Sequence, residues 1–369
     1  MELCYSKDAV LLEQLCEFCL GLTPYDKYSG HTPEQIRNQV FHSKSKLDDT
    51  YTKLLKSGDV GRYIVEWNGE DWIRYGEWLA APREKRFFTQ ERILVQQIID
   101  WSSLRLFAGW TDVELYNTQN QFNLLSRNGT NLKFILAIIN SKLMSYYHRR
   151  VFLDVALQRF QKVLIKDAKQ FPIRRIDFTT PEADRARYLE KAQTLYARCL
   201  EKSDTACVLG FVDHHLSGES PLAPRPSPRT DVIHDLLAFL AGRMIDLNRT
   251  KQAEMSGFLT WLTRHLRADL DQLTGKSKIQ NYLGDYQKGQ QPLAFEDLLD
   301  VLGKNSRKLG VDPTARAIQT ALEREYTTSL GNLLPIKEQL ALTDGLIDQI
   351  VYRLYGLSDD EIAIVEGRG

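Results

Sequence analysis

The sequence predicts an α+β protein, with a mixed α/β N-terminal region followed by a mostly α-helical C-terminal region. Three observations predict it. Aromatic and β-branched residues gather in short, glycine-punctuated runs before residue 126. From residue 132 onward apolar residues recur at spacings of three and four. The third is Ser217 to Arg229, SGESPLAPRPSPR, where Pro221, Pro224, Pro226 and Pro228 remove backbone donors and favour extended chain. The expected organisation is a mixed α/β domain over 1–178, a helical spacer over 179–216, a proline-rich linker over 217–229 and an α-helical domain over 230–369.

The first expected element is a hairpin. Tyr63 to Trp67 and Asp71 to Tyr75 are strand-like, and Asn68-Gly69 between them suits the positive φ angles of a type I′ turn. Arg92 to Ile99 and Gln121 to Leu125 are further strands. Cys16 and Cys19 are expected in a helical N-terminus as part-buried thiols. Asn128-Gly129 marks a turn before one helix carrying Leu132, Leu136, Ile139 and Leu143 on one face. That helix closes on His148-Arg149-Arg150, whose cations complement the negative end of the helix dipole.

Thr180-Pro181 reads as an N-cap followed by proline at the first helical position, opening a helix to about Lys202. Ile233, Leu236, Leu237, Leu240 and Met244 form one later stripe, and Phe258, Leu262, Leu266, Leu270 and Leu273 another. Asp312-Pro313 starts a third helix, and Thr343 caps a fourth that stops at Gly356. Ser358-Asp359-Asp360-Glu361 spells a capping box for a last short helix. No fixed-period repeat is present, which argues against a solenoid.

Composition excludes several classes. The 369 residues hold 48 Lys+Arg and 48 Asp+Glu, 43% hydrophobic and 26% charged side chains, the balance of an ordinary soluble protein. No apolar run approaches the roughly 18 residues of a membrane helix, so no membrane partner is expected. The first residues lack the basic-then-apolar pattern of a secretory signal, and five cysteines are few and odd in number, so a reducing cytoplasm is expected. The zero net charge is uneven: residues 121–180 carry 11 basic and 3 acidic side chains. Such a segment is suited to a polyanion, and a scattered solvated surface is the alternative.

Catalytic signatures are mostly absent. Neither a Gly-x-Gly-x-x-Gly nor a Walker loop occurs. Leu22-Thr23-Pro24-Tyr25 is distantly similar to the Asn-Pro-Pro-Tyr of amino-methyltransferases but lacks its amide and first proline. Asp167-Ala168-Lys169 is a bare Asp-x-Lys near a candidate strand, and no Glu-x-Lys occurs. His42, Lys44 and Asp49 match one phospholipase D type motif, in which histidine attacks phosphorus and lysine holds the phosphoryl oxygens. That chemistry needs two such motifs, and a polar loop is the alternative. Cys16-Glu17-Phe18-Cys19 has no second pair to complete a zinc site, and Asp213-His214-His215 is too compact for one metal.

An ordered series of motifs carries a family resemblance. It runs from Gly21-Leu22-Thr23-Pro24-Tyr25 through Gly58-Asp59-Val60-x-Arg62-Tyr63 and Tyr75-Gly76-Glu77-Trp78-Leu79-Ala80 to Phe87–Ile98. Ala137 to Leu143 (AIINSKL) and Phe171-Pro172-Ile173-Arg174 follow, and the tail contributes Asp348-x-x-Val351-Tyr352-x-Leu354-Tyr355-Gly356-Leu357 and Glu361-Ile362. In this order they resemble the TaqI-like C-terminal specificity domain, the target-recognition part of type IIG restriction-modification enzymes and related adenine DNA methyltransferases, including those of phage-defence systems. The catalytic half of that family is missing here. The resemblance therefore implies a non-catalytic specificity subunit or fragment, with double-stranded DNA and an adenine-N6 methyltransferase as partners. It implies no cofactor in this chain, with S-adenosylmethionine in the catalytic partner.

Side-chain chemistry suits that role, since Arg pairs with guanine, Asn and Gln with adenine, and Lys or Arg with phosphate. In the basic window Arg127, Asn128, Lys133, Lys142, Arg149 and Arg150 are candidate DNA contacts, as are Arg159, Lys162, Lys166 and Lys169. Arg62, Trp67, Asn68, Arg74 and Tyr75 of the expected hairpin are candidates to enter a groove; packing of the aromatics in a sheet is the alternative. Asp59 has a local explanation as a cap for loop amides, and Asn140-Ser141-Lys142, within the helix, as packing or local bonding. Two other readings remain open, a phosphodiesterase using His42, Lys44 and Asp49, and a helical scaffold for another protein.

Overall fold

Continuous burial along Ile93 to Val95 and Phe122 to Leu124, covered on both faces, marks the central sheet of the computed structural model, which describes residues 8–99, 105–153, 162–217 and 228–368. The strands are β1 (Ala9–Leu11), β2 (Cys16–Leu20), β3 (His42–Ser43), β4 (Tyr51–Leu55), β5 (Trp72–Arg74), β6 (Arg92–Gln96), β7 (Ala108–Thr111), β8 (Tyr116–Asn117), β9 (Gln121–Ser126) and β10 (Pro172–Arg174). The central sheet is antiparallel with order β2-β9-β6-β7. A smaller sheet has order β3-β5-β4-β8, its β4-β8 pair parallel, and β1 pairs with β10.

Short helices punctuate the strands: α1 (Leu12–Leu15), α2 (Pro33–Arg37) and α3 (Arg86–Thr89). Then come α4 (Leu132–Asn140), α5 (Lys142–Phe152), α6 (Ile165–Ala168), α7 (Glu182–Lys202) and α8 (Ala206–Leu216). The C-terminal region is α9 (Thr230–Leu266), α10 (Lys276–Gln280), α11 (Phe295–Lys304), α12 (Arg316–Tyr355) and α13 (Asp359–Val365). All the described strands precede residue 175, so the architecture is α+β, as the composition of the two halves predicts.

One compact unit comprises Met1–Ile245 with Gly345–Gly369, the other Asp246–Asp344. In the first, α4 packs across β6 and β7, while Leu94 on the other sheet face clusters with Leu55, Val60 and Leu115. The second unit has its own core, in which Phe258, Leu262 and Leu266 meet Tyr282, Leu298 and Tyr326. The expected linker at 217–229 lies almost wholly outside the described residues.

Five local expectations are corrected. The Asn68-Gly69 hairpin does not form: β5 pairs with β3 and β4, and Tyr63 to Trp67 takes no part in that sheet. Two causes are visible. The Asn68 Oδ1 accepts from the amides of Glu70 (2.9 Å) and Asp71 (3.2 Å), an Asx turn in which only Gly69 has positive φ. Tyr63 sits at φ 67°, which breaks a strand. Its amide donates to the Ala108 carbonyl (2.7 Å), and the chain passes so close to β7 that a Cβ at Gly109 would collide with the Ile64 carbonyl.

The helix expected across 132–150 is two helices. Ser141 is extended (φ −68°, ψ 154°), ends α4 and caps α5 by accepting from the Met144 amide. Conversely, the third and fourth C-terminal helices are one: Thr343 lies inside α12 and bonds back to the Gln339 carbonyl (2.6 Å) instead of capping. Cys16 and Cys19 belong to β2, not to a helix, and burial pushes the Cys16 thiol up to about 12. The Ile233 and Phe258 stripes likewise share one helix, α9, which ends at Leu266 before Leu270 and Leu273, and α12 starts at Arg316, three residues after Pro313. The other helix ends agree closely. α7 begins one residue after Pro181, α12 stops before Gly356 at φ 69°, and Ser358 and Glu361 form the expected capping box.

Candidate nucleic-acid interface

The basic window is delivered by three pieces of the first unit. The Arg127–Thr130 turn is closed by the Thr130 amide on the Arg127 carbonyl (3.0 Å), with Asn128 and Gly129 both at positive φ, 51° and 74°. It leaves Arg127 and Asn128 exposed at the end of β9. The last turn of α5 carries Arg149, over the Tyr146 ring (5.5 Å), and the exposed Arg150. The third piece holds Lys162, bridged to Ile98, then Lys166 on α6 and Lys169 at its end. Lys169 and Arg127 border one cleft of about 430 Å³ with Glu13 and Glu17.

Packing explains why the cations face outward. His148 and Phe152, on the buried side of α5, pack against Phe171 just ahead of β10, with ring centroids 5.9 and 6.4 Å away. Among the described residues, none of Arg127, Arg149, Arg150, Lys162, Lys166 and Lys169 has a carboxylate within salt-bridge distance. Their charge is free for an external anion. Lys133 stands over the Trp110 ring (4.8 Å), and Arg159 lies outside the described residues.

Lys142 differs. Its ammonium faces Asp348 (3.8 Å) and Glu366 (3.4 Å), and its amide donates to Asp348 (2.7 Å). Two motifs from distant parts of the sequence thus meet here, and Lys142 serves as an internal clamp. Asn140 makes a second clamp: its side chain accepts from the Ala108 amide (3.0 Å) and donates to the Ala108 carbonyl (2.9 Å). Its own carbonyl accepts from Arg62 (2.7 Å) and Arg105 (2.8 Å). Arg62, only 4% exposed, is therefore a buried helix-end ligand. The Tyr355 hydroxyl likewise bonds the Pro172 carbonyl (2.9 Å) and the Arg174 amide (3.1 Å).

The other residues expected to enter a groove are also engaged. The Trp67 indole donates to the Asp71 carbonyl (2.9 Å) and packs edge-on against Trp72. Arg74 lies over Trp78 (4.3 Å), and the Tyr75 hydroxyl donates to the Arg83 carbonyl (3.0 Å). Of that set only Asn68 is exposed, and its side chain closes the Asx turn.

His42, Lys44 and Asp49 do not converge. His42 Nδ1 meets the Tyr25 hydroxyl (3.0 Å), Lys44 pairs with Glu70 and Asp71, and Asp49 pairs with Lys46. Burial lowers the His42 pKa, so its ring is neutral at pH 7. Asp167 sits on α6, buried, with its pKa raised by burial. Asp213 pairs with Arg353 (2.9 Å) while His215 is buried. Among the described residues no three His, Cys, Asp or Glu side chains could hold a metal ion.

A second feature was not legible in the sequence. The small sheet borders a cleft of about 760 Å³, with Asn38 and Gln39 on one wall and Asn120 among its lining residues. Asp71 lies in it, 7% exposed; burial pushes its carboxyl up, but hydrogen bonds from Lys56, Asn68 and Lys44 together outweigh that and hold it below the usual range. An adjacent pair, Asn38 and Gln39, and a distant Asn120 give no sequence signal.

His148 supplies a pH test of the packing beneath the basic face. Burial drives its pKa down from 6.5 to about 4, and its Nε2 has no partner among the described residues. The unfolded chain therefore binds the extra proton first. Stability contributed by the neutral ring is present above pH 6.5 and falls as pH drops from 6.5 to 4. At about 1.4 kcal/mol per pKa unit, the loss at pH 4 is about 3 kcal/mol. A His148→Phe variant should show a shallower fall in urea midpoint over that window, and an unchanged profile would refute the assignment.

Residues 52–173 match the family model of the TaqI-like C-terminal specificity domain. The resemblance carried by the ordered motifs therefore holds over this segment, which contains the central sheet's β6, β7 and β9, both clamps' helical residues and most of the basic window. Among solved structures, the type IIL restriction-modification enzyme MmeI in complex with DNA aligns over 61% of this chain at 10% identity, with a TM-score of 0.28. The chain spans 32% of the length of that enzyme's chain. A search of curated proteins found no match. No helix among the described residues is long and apolar enough to cross a membrane.

Proposed function

We propose that this chain is a non-catalytic DNA target-recognition module of a restriction-modification system, working with a separate adenine-N6 methyltransferase. The observation that carries the reading is the set of six cations without carboxylate partners among the described residues, all of them within the segment 52–173 that matches a specificity domain. Their charge would take the phosphates of duplex DNA and so fix its register, while neutral polar groups read bases. The mixed region, residues 1–178, is assigned the DNA, and the helices beyond residue 230 the partner. S-adenosylmethionine would belong to that partner, and a type IIG-like, phage-defence setting in the cytoplasm is in keeping with the free thiols of Cys16, Cys19, Cys199 and Cys207.

Fluorescence anisotropy on mixed-sequence duplex DNA across a salt series, with and without a candidate methyltransferase, tests the reading. Binding should fall steeply with salt, with log K declining by about 0.9 per log unit of salt for each phosphate contacted. It should tighten when the partner is added. Absence of binding at low salt, with or without the partner, would overturn it.

A further inference from the structure

The motif Gly21-Leu22-Thr23-Pro24-Tyr25 has a physical task in the small-sheet cleft. The Tyr25 hydroxyl accepts from the Phe41 amide (2.8 Å), bonds His42 Nδ1 (3.0 Å), and its ring stacks on Phe41 (5.2 Å, 7° between planes). It thereby clamps the turn that follows α2. In that turn Gln39 is left-handed, φ 49°, and the His42 amide closes on the Gln39 carbonyl (2.8 Å). A glutamine held in that region costs on the order of 1 kcal/mol, so the turn is maintained by its surroundings. The side-chain amides of Asn38, Gln39 and Asn120 are exposed and make no hydrogen bond to a described residue.

Charge sets the class of ligand. Lys44 and Lys56 project into the cleft, but both bond Asp71, at 3.1 and 2.8 Å, and Lys44 also bonds Glu70. Two cations and two carboxylates cancel, so the cleft does not favour phosphate as the basic face does. What it offers is a neutral set of carboxamides on a clamped rim. A carboxamide presents a donor beside an acceptor, the complement of adenine's N7 acceptor and N6 donor in the major groove.

We propose that this cleft reads adenine edges in duplex DNA through the carboxamides of Asn38, Gln39 and Asn120. The inference rests on the DNA-recognition reading above and adds a base-reading subsite to it. Because the rim is preorganised by Tyr25, little ordering cost opposes the contact. Phosphate contacts elsewhere set affinity; this cleft sets preference.

The test compares the full chain with an Asn38→Ala, Gln39→Gly, Asn120→Ala triple variant; glycine at 39 removes the amide while keeping the left-handed turn comfortable. Both select sites from a randomised duplex library, and each is then titrated on the wild-type site with adenine or 7-deazaadenine at the preferred positions. The wild type should lose roughly tenfold to a hundredfold in affinity on the deaza site. The variant should bind both sites alike, with an unchanged salt slope. A variant that keeps the wild-type preference and deaza penalty overturns this inference while leaving DNA recognition standing. A wild type that binds no duplex overturns both.

Discussion

Converting Arg149, Arg150, Lys162 and Lys166 together to alanine should weaken binding to mixed-sequence duplex DNA on the order of 100-fold at low salt and lower the salt slope by about 3 to 4. The magnitude follows from the absence of internal partners. A surface cation already paired with a carboxylate has little to offer a phosphate, because binding must first break that pair. These four have no such pair among the described residues, so their neutralisation by DNA releases counterions without an opposing cost. Folding should be little affected, since Arg150, Lys162 and Lys166 are exposed and Arg149 is at the end of α5. The variant with Arg149→Lys and Arg150→Lys alone should retain the slope, because counterion release depends on charge. Lys142→Met is the contrasting case: its ammonium faces Asp348 and Glu366, so the slope should not move. Unchanged affinity in the folded quadruple variant would remove this face from the interface.

What could be read in the sequence was what local chemistry decides. Two Asn-Gly dipeptides show the limit. At Asn128-Gly129 both residues take positive φ and the expected turn precedes the helix. At Asn68-Gly69 the same pair forms an Asx turn, because Glu70 and Asp71, two and three residues on, offer their amides to Asn68 and because Tyr63 cannot continue a strand. Apolar stripes located every long helix, since their side chains are buried whatever covers them; Ile233, Leu236, Leu237 and Leu240 are all fully buried. Periodicity cannot say where one helix stops and the next starts: Ser141 breaks a continuous stripe, and Thr343 fails to break one. The six free cations could be named from charge density alone. That Lys142, Arg62 and Arg74 were committed elsewhere depends on Asp348, Asn140 and Trp78, contacts that no spacing reveals. The amide cleft was invisible for the same reason.

Asn140→Ala should cost the first unit about 1–3 kcal/mol, since it leaves the buried Ala108 amide without its partner, while the Ala108 carbonyl keeps only the Tyr63 amide. That is a large fraction of the 5–15 kcal/mol typical of a whole domain. Asn140 and Ala108 are both fully buried, so no water replaces the lost bonds without entering the core. The Asn140 carbonyl still holds Arg62 and Arg105 in the variant, which isolates the effect to the side chain. Urea unfolding should shift accordingly, and hydrogen exchange of a peptide covering 106–111 should accelerate. Asn140→Asp separates hydrogen bonding from volume. A carboxylate here can still accept from the Ala108 amide but faces the Ala108 carbonyl without a proton, and burial raises its pKa above the unfolded value near 3.9. Its stability relative to wild type is therefore best below the unfolded pKa and is lost as pH rises through the folded pKa. On acidification the aspartate deficit should shrink, because a protonated carboxyl donates to the carbonyl as the amide did, while the alanine deficit stays constant. Equal and pH-independent deficits in the two variants would mean that Asn140 merely fills space against β7.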